Sequence, residues 1–300
     1  MSAKLIVICG PTASGKSAIA IEVAKALNTE IISADSLAIY KKLDIGTAKP
    51  TREELEKVTH HLIDVVEPKD NFSVSDFEAL AIPIIERLLR EGKNPVICGG
   101  TGFYVNSILY KLSYGETEAN LEVREKYQKL YNEKGAEYVF EELRKVDPKS
   151  CEKLHCNDVK RVIRALEIYY STGKRKSDQQ DKLIPRFDYI AVTPNVSRET
   201  LYNRIEKRVD QMLEKGLVSE VQSLISEGVT LDNQCMQGIG YKETYEAIKA
   251  GDFSELANLI KLNTRHYAKR QITFFKRLEG LKMVNQNPEI ATKEIIELLK

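Results

Sequence analysis

The chain has 300 residues, 42% of them hydrophobic, which is enough to bury one large core or two modest ones. Lys and Arg total 45 against 44 Asp and Glu, so the net charge of +1 does not by itself point to nucleic acid, and any basic surface has to be local. No apolar run approaches the roughly 20 residues that span a bilayer, and five scattered cysteines, Cys9 and Cys98 among them inside apolar runs, suit a reducing cytosol rather than a disulfide framework.

The N-terminus leads straight into the apolar run Leu5 to Cys9 and then Gly-Pro, too short a run for a signal peptide, so a cytoplasmic protein is expected. Leu5 to Cys9, Glu30 to Ala34 and Asn94 to Cys98 read as parallel core strands, the first two joined by the helical pattern Ser17 to Leu27. Pro83 inside the helical run Ser75 to Arg90 predicts a kink or a late helix start. His60-His61 reads as a structural segment near the core.

From Ser113 to Lys182 the chain is rich in Glu, Lys, Arg and Tyr at helical spacing, punctuated by Gly115, Gly135, Asp147-Pro148 and Gly173. A fourth strand, Phe187 to Val192, follows it, and three amphipathic helical patterns carry the chain to Lys300. The expected fold is α/β, a P-loop NTPase-like parallel sheet flanked by helices. Residues 1–112 and 183–300 form its catalytic core, and 113–182 form an inserted all-helical subdomain. Cys151, His155 and Cys156 share one helical pattern with no second ligand pair, so zinc is not expected there.

Gly10-Pro11-Thr12-Ala13-Ser14-Gly15-Lys16-Ser17 fits the phosphate-loop, nucleotide-binding pattern and sits between an apolar strand and a helix, the context that pattern requires. Its backbone N–H groups can cradle phosphates, Lys16 can neutralise their oxygens, and the Ser17 hydroxyl can ligate Mg²⁺. Nucleotide hydrolases add a strand ending in Asp, and neither Pro95 to Cys98 nor Tyr189 to Val192 ends in one.

Asp35 ends the second strand, where open α/β sheets keep their ligands, and can act as a general base or hold a metal through water. The bland alternative is a cap on the next helix, with Ser36 competing for that role. Gly99-Gly100-Thr101-Gly102 is a second glycine-rich strand exit, from which Thr101 could donate to a phosphate; a purely structural turn explains it as well.

Six Lys or Arg residues and no acid lie between Lys261 and Arg277, with Tyr267, Phe274 and Phe275 interleaved. Such a helix can contact nucleic-acid phosphates, with Phe274-Phe275 read as core. Lys160, Arg161 and Arg164 share another helical face, followed by Lys174-Arg175-Lys176; an arginine-bearing lid and a merely solvated face both remain open.

The phosphate loop, Ile31 to Ser36, Tyr40, Asp44-Ile-Gly-Thr-Ala-Lys49 and Gly99-Gly-Thr101 together resemble the bacterial tRNA dimethylallyltransferases (tRNA isopentenyltransferases). The resemblance continues, in that family's order, through Asn157-Asp158, Arg161, Arg164-Ala-Leu-Glu167, Arg204-Ile-Glu-Lys-Arg208, Gly238-Ile-Gly-Tyr241-Lys-Glu243 and Thr264 to Gln271. It covers nearly the whole chain. Many members carry Gln, Ala and Trp where Ala38, Gly238 and Phe274 stand here.

The resemblance implies transfer of a dimethylallyl group from dimethylallyl diphosphate to N6 of the adenosine 3′ of the anticodon (adenosine-37), in tRNAs reading codons that begin with U. By residue matching it implies Asp35, Thr101 and Arg208 as catalytic residues, Gly10 to Ser17 as the diphosphate loop, and Mg²⁺ at Ser17. Arg208 has a bland alternative too, because Arg204, Lys207 and Arg208 are spaced as a solvated helix face. The implied contacts with the tRNA anticodon stem-loop are Asp35, Ser36, Leu37, Ala38, Thr101, Arg124, Lys160, Arg161, Val162, Ile163, Arg164, Gly238, Ile239, Gly240, Tyr241 and Lys242. The target base has to leave its stack to reach Asp35. A monomer with no obligate protein partner is expected. The rivals are a small-molecule kinase using the same loop and a non-catalytic RNA-binding NTPase switch; the missing strand-end Asp counts against both.

Overall fold

Five apolar residues in a row cannot be half-exposed, and Leu5–Cys9 forms β1, buried throughout, inside a parallel sheet. The structure is a computed structural model that describes residues 3–111, 120–179 and 183–300. The chain divides into two compact units, Met1–Tyr110 with Pro185–Lys300, and Lys111–Ile184. The expected insert limits, Ser113 and Lys182, and the break at Gly115 lie outside the described residues.

In the first unit, β1 is followed by α1 (Lys16–Ala26), β2 (Ile31–Ser33), α2 (Arg52–Lys57), β3 (His60–His61), α3 (Val74–Arg90), β4 (Val96–Gly99) and α4 (Gly102–Leu109). The second unit holds α5 (Leu121–Val146, broken at Gly135), α6 (Pro148–Cys151) and α7 (Val159–Thr172). The first unit then resumes with β5 (Tyr189–Pro194), α8 (Arg198–Glu214), α9 (Leu217–Ser226), α10 (Tyr241–Ala250), α11 (Leu256–Phe275), β6 (Lys282–Val284) and α12 (Pro288–Leu299).

The six strands run in the order β3-β2-β4-β1-β5-β6, and every pair is parallel. Ile8 lies between Cys98 of β4 and Val192 of β5. On one face Ile6, Ile8, Ile31, Val96 and Val192 pack with α1 and α12 residues such as Ile19, Val23 and Ile295. Alternate residues of the same strands point to the opposite face, where α3 and α4 pack together and Phe77 stacks on Tyr104 at 4.0 Å. Among the described residues no helix is long and apolar enough to cross a membrane.

Several elements differ from the sequence expectations. β3 and β6 have no apolar run to announce them: one is two histidines, and the other carries Met283 70% exposed at the sheet edge. β5 sits two residues later than expected because Thr193 and Pro194 go on to pair with β6. The C-terminal stretch holds five helices, α8 to α12, rather than three. The late start allowed for at Pro83 is also not found, since Ser73 and Asp76 form a reciprocal capping box that starts α3 at Val74.

The second unit has its own core of Tyr127, Val139, Phe140, Leu143, Val162, Ile163 and Leu166. Glu167 is fully buried there, where it takes the Arg124 Nε at 2.9 Å, the Arg164 Nη1 at 2.8 Å and the Asn120 N–H at 2.8 Å. A carboxylate without those partners would be costly to bury.

Candidate functional site

The carboxyl ends of β1, β2 and β4 lie side by side, so the turns that leave them converge. After β1 the phosphate loop turns through left-handed backbone at Ala13 (φ 60°) and Gly15 (φ 92°) and enters α1 at Lys16. Lys16 is half-buried, and its Nζ donates to the Pro11 carbonyl at 2.6 Å, so the ammonium folds back over its own loop. Burial pulls its pKa below the usual lysine value; nearby Cys98 and Asp35 oppose that and Arg208 reinforces it.

One buried side chain joins this loop to the β4 exit. Gln271 of α11 accepts the Thr12 N–H on Oε1 at 2.9 Å and donates from Nε2 to the Gly100 carbonyl at 2.9 Å. The approach is so close that a Cβ at Gly100 would collide with the Gln271 amide. One turn earlier on α11 is Tyr267, which lines the same cleft as Asp35. Burial first, then Asp35, pushes its phenol up to about 12, so it stays a donor at neutral pH. α11 is held against α8 through Leu201, Ile205 and Ala268, and α8 supplies Arg204 and Arg208.

Asp35 follows β2 and opens a turn rather than a helix. Its Oδ1 accepts the N–H groups of Leu37 at 2.9 Å and Ala38 at 3.2 Å, the job of an N-cap, while among the described residues no hydrogen bond reaches Oδ2. Arg208 is held by a bond from Nη2 to the Thr47 carbonyl at 2.9 Å. Burial lowers its pKa and Asp35 opposes that. The solvated-face alternative for α8 holds for Lys207 alone, which is exposed; Arg204 and Arg208 turn inward.

Two clefts meet here. One, of about 460 Å³, is walled by Gly15, Lys16, Ser17, Arg204 and Gly100. The other, of about 380 Å³, is walled by Leu37, Ile205, Val209, Met212, Ile239 and Ile260. Thr12, Asp35, Thr47, Arg208 and Tyr267 line both. The first is built for an anion and the second for a flat or branched apolar group, with one carboxylate and one guanidinium at the junction. Ser17 and Asp35 offer hard oxygen donors to the anion cleft, a set that fits Mg²⁺ sharing its shell with phosphate oxygens.

Of the other residues expected at the site, Ser36, Leu37, Gly238 and Ile239 line the apolar cleft, and Ala38 borders the anion cleft. The Thr101 hydroxyl is engaged with Ser36: it accepts the Ser36 N–H at 3.0 Å and donates to the Ser36 Oγ at 3.2 Å. Gly240 is buried and gives its N–H to Glu243 Oε2 at 2.7 Å.

The side chains of Val162, Ile163 and Tyr241, expected among the tRNA contacts, are buried. The first two are core residues of the second unit, and Tyr241 is fully buried with its phenol on Glu220. Arg124 and Arg164 are engaged with Glu167, whereas Lys160, Arg161 and Lys242 are exposed. His266, Lys269, Arg270 and Thr273 of α11, with Arg277 just beyond it, frame an open basic cleft, with Phe103 64% exposed beside Phe274. Of the pair expected in the core, Phe275 is buried there, whereas Phe274 is only half-buried. Thr47, Arg204, Glu220, Tyr267 and Gln271 had no assigned role at the sequence level. The visible signal was that Tyr267 and Gln271 stand four apart, on one face of the helix.

The family model described as IPP transferase matches residues 38–278. A tRNA dimethylallyltransferase of Acetivibrio thermocellus is 47% identical over 300 residues, covering 99% of this chain and 96% of that protein. The crystal structure of the full-length tRNA isopentenylpyrophosphate transferase of Bacillus halodurans superposes with a TM-score of 0.74 at 38% identity, over 99% of this chain and 95% of that one. A eukaryotic dimethylallyltransferase acting on tRNA gives a TM-score of 0.82 at 30% identity, over 98% of this chain and 78% of that one. With sequence and fold in agreement, the chain belongs to the IPP transferase family.

Proposed function

We propose that the protein transfers the dimethylallyl group of dimethylallyl diphosphate to N6 of adenosine-37, next to the anticodon, in tRNAs reading codons that begin with U. The product is N6-(dimethylallyl)adenosine in tRNA. The observation that carries this reading is the junction of the two clefts, where Asp35 and Arg208 line both an anion site and an apolar site. A prenyl transfer to a base needs both, the first for the diphosphate and the second for the adenine and the five-carbon chain.

In this reading the diphosphate lies on the phosphate loop, where Lys16 and the loop amides oppose the negative charge that grows as the C–O bond breaks. Lys16 exchanges its Pro11 carbonyl for a phosphate oxygen. Arg208 faces the junction, close to where the leaving oxygen separates. The extruded adenine and the five-carbon chain share the apolar cleft, which excludes water from the electrophilic carbon. As the N6–C bond forms, the N6 proton passes to Asp35, whose Oδ2 is available because Oδ1 already holds the turn. Mg²⁺ held by Ser17, and through water by Asp35, would supply further charge to the diphosphate.

Lys160, Arg161 and Lys242, with the basic face of α11, are the exposed cations suited to tRNA phosphates. Nucleoside mass spectrometry of unmodified tRNA treated with the protein, Mg²⁺ and dimethylallyl diphosphate tests the reading. Dimethylallyladenosine at the position 3′ of the anticodon is the expected product. Unmodified tRNA accompanied by phosphorylation of a small alcohol from ATP would replace this reading with the kinase.

A further inference from the structure

Glu220 on α9 is a half-buried carboxylate that the chemistry above does not use. It accepts four hydrogen bonds. Oε2 takes the backbone N–H groups of Asp44 at 2.9 Å and Ile45 at 2.8 Å. Oε1 takes the Gly46 N–H at 3.2 Å and the Tyr241 phenol at 2.7 Å. Three successive amides converging on one anion make a backbone nest, and here the anion belongs to the protein itself.

The loop held this way runs directly into Thr47, whose hydroxyl closes the turn on the Leu43 carbonyl at 2.6 Å. The Thr47 carbonyl is the acceptor for Arg208 Nη2. Tyr241 lies beneath the loop, and a Cβ at Gly46 would stand 2.5 Å from its ring, so glycine is what lets the loop settle onto the phenol. A long arginine side chain has many rotamers, and a fixed carbonyl selects one of them.

The geometry points to Glu220 and Tyr241 as positioning residues that aim the Arg208 guanidinium into the cleft junction by fixing the Asp44 to Thr47 loop. This rests on the reading of Arg208 as a diphosphate ligand. It gives the buried Tyr241 phenol a role in the reaction.

The test uses the full chain and two readouts: steady-state prenyl transfer to tRNA, and calorimetric titration with inorganic diphosphate and Mg²⁺. Glu220→Gln keeps the size but not four acceptor positions. It is expected to lower kcat by about tenfold to a hundredfold, the usual cost of misplacing a catalytic group by about 1 Å, and to weaken diphosphate binding with the KM for tRNA unchanged. Tyr241→Phe should move both readouts in the same direction by less. In an Arg208→Ala background, adding Glu220→Gln should change neither.

An equal loss from Glu220→Gln with and without Arg208, or a raised tRNA KM with diphosphate binding intact, would overturn the assignment. If thermal melts show Glu220→Gln unfolded, Tyr241→Phe in both backgrounds decides. If the wild-type protein transfers no prenyl group, the functional reading fails, and the diphosphate titrations alone decide the positioning role.

Discussion

Asp35 uses Oδ1 to hold the amides of Leu37 and Ala38 and, in the proposed reaction, takes the proton on Oδ2, so the two jobs separate by substitution. Asparagine retains an acceptor for the turn but cannot take a proton. Asp35→Asn should therefore lower prenyl transfer by about 10²- to 10⁴-fold with unfolding free energy nearly unchanged, whereas Asp35→Ala should lose the same activity and a further ~1 kcal/mol of stability. Urea melts alongside transfer rates check both; an active Asp35→Asn would remove the residue from the chemistry. Lys16 gives a pH prediction. Burial holds its folded pKa below the ordinary lysine value, and the unfolded chain returns towards that value. Between the two, the unfolded state binds more protons, so stability of the free protein rises with pH through that window. Diphosphate needs the ammonium form, so its affinity falls over the same window. Calorimetry in buffers of different ionisation enthalpy should show proton uptake on diphosphate binding, absent in Lys16→Met.

Among the helices, α11 decides how the phosphate loop and the β4 exit sit relative to each other, because Gln271 is hydrogen-bonded to both. Gln271→Glu removes the donor to the Gly100 carbonyl and adds a negative charge beside the anion cleft. Diphosphate affinity should fall at least about tenfold, and stability by about 1–3 kcal/mol for the buried group left unpaired; unchanged affinity in the titration would make the bridge incidental. β1, β2 and β4 were legible because a strand buried on both faces must be an unbroken apolar run. β3 and β6 were not, since His60-His61 and Lys282–Val284 are short edge strands recruited by their neighbours' open backbone. Asp35 and the phosphate loop were legible from local order along the chain. Gln271, Tyr267 and Glu220 were not, because what makes them matter is a partner more than 100 residues away in the first two cases and about 175 in the third.

The whole molecule is nearly neutral, and its functional charge is local: a cationic cleft at the sheet's carboxyl edge, a basic face on α11, and exposed Lys160 and Arg161 on the second unit. Replacing Lys160 and Arg161 together by alanine should raise the KM for tRNA and flatten its dependence on log[salt], by roughly one unit of slope for each phosphate no longer neutralised. Diphosphate titration should be unaffected, and a change there would mean the two cations serve the other site. The proposed chemistry at the cleft junction depends on Asp35 taking the proton of an adenine amine as a prenyl group arrives from the diphosphate side. The decisive experiment follows label from radiolabelled dimethylallyl diphosphate into unmodified tRNA, wild type against Asp35→Asn. Label should be retained in RNA by the wild type and lost in the variant. Label retained equally by both proteins, or by neither, would refute that chemistry.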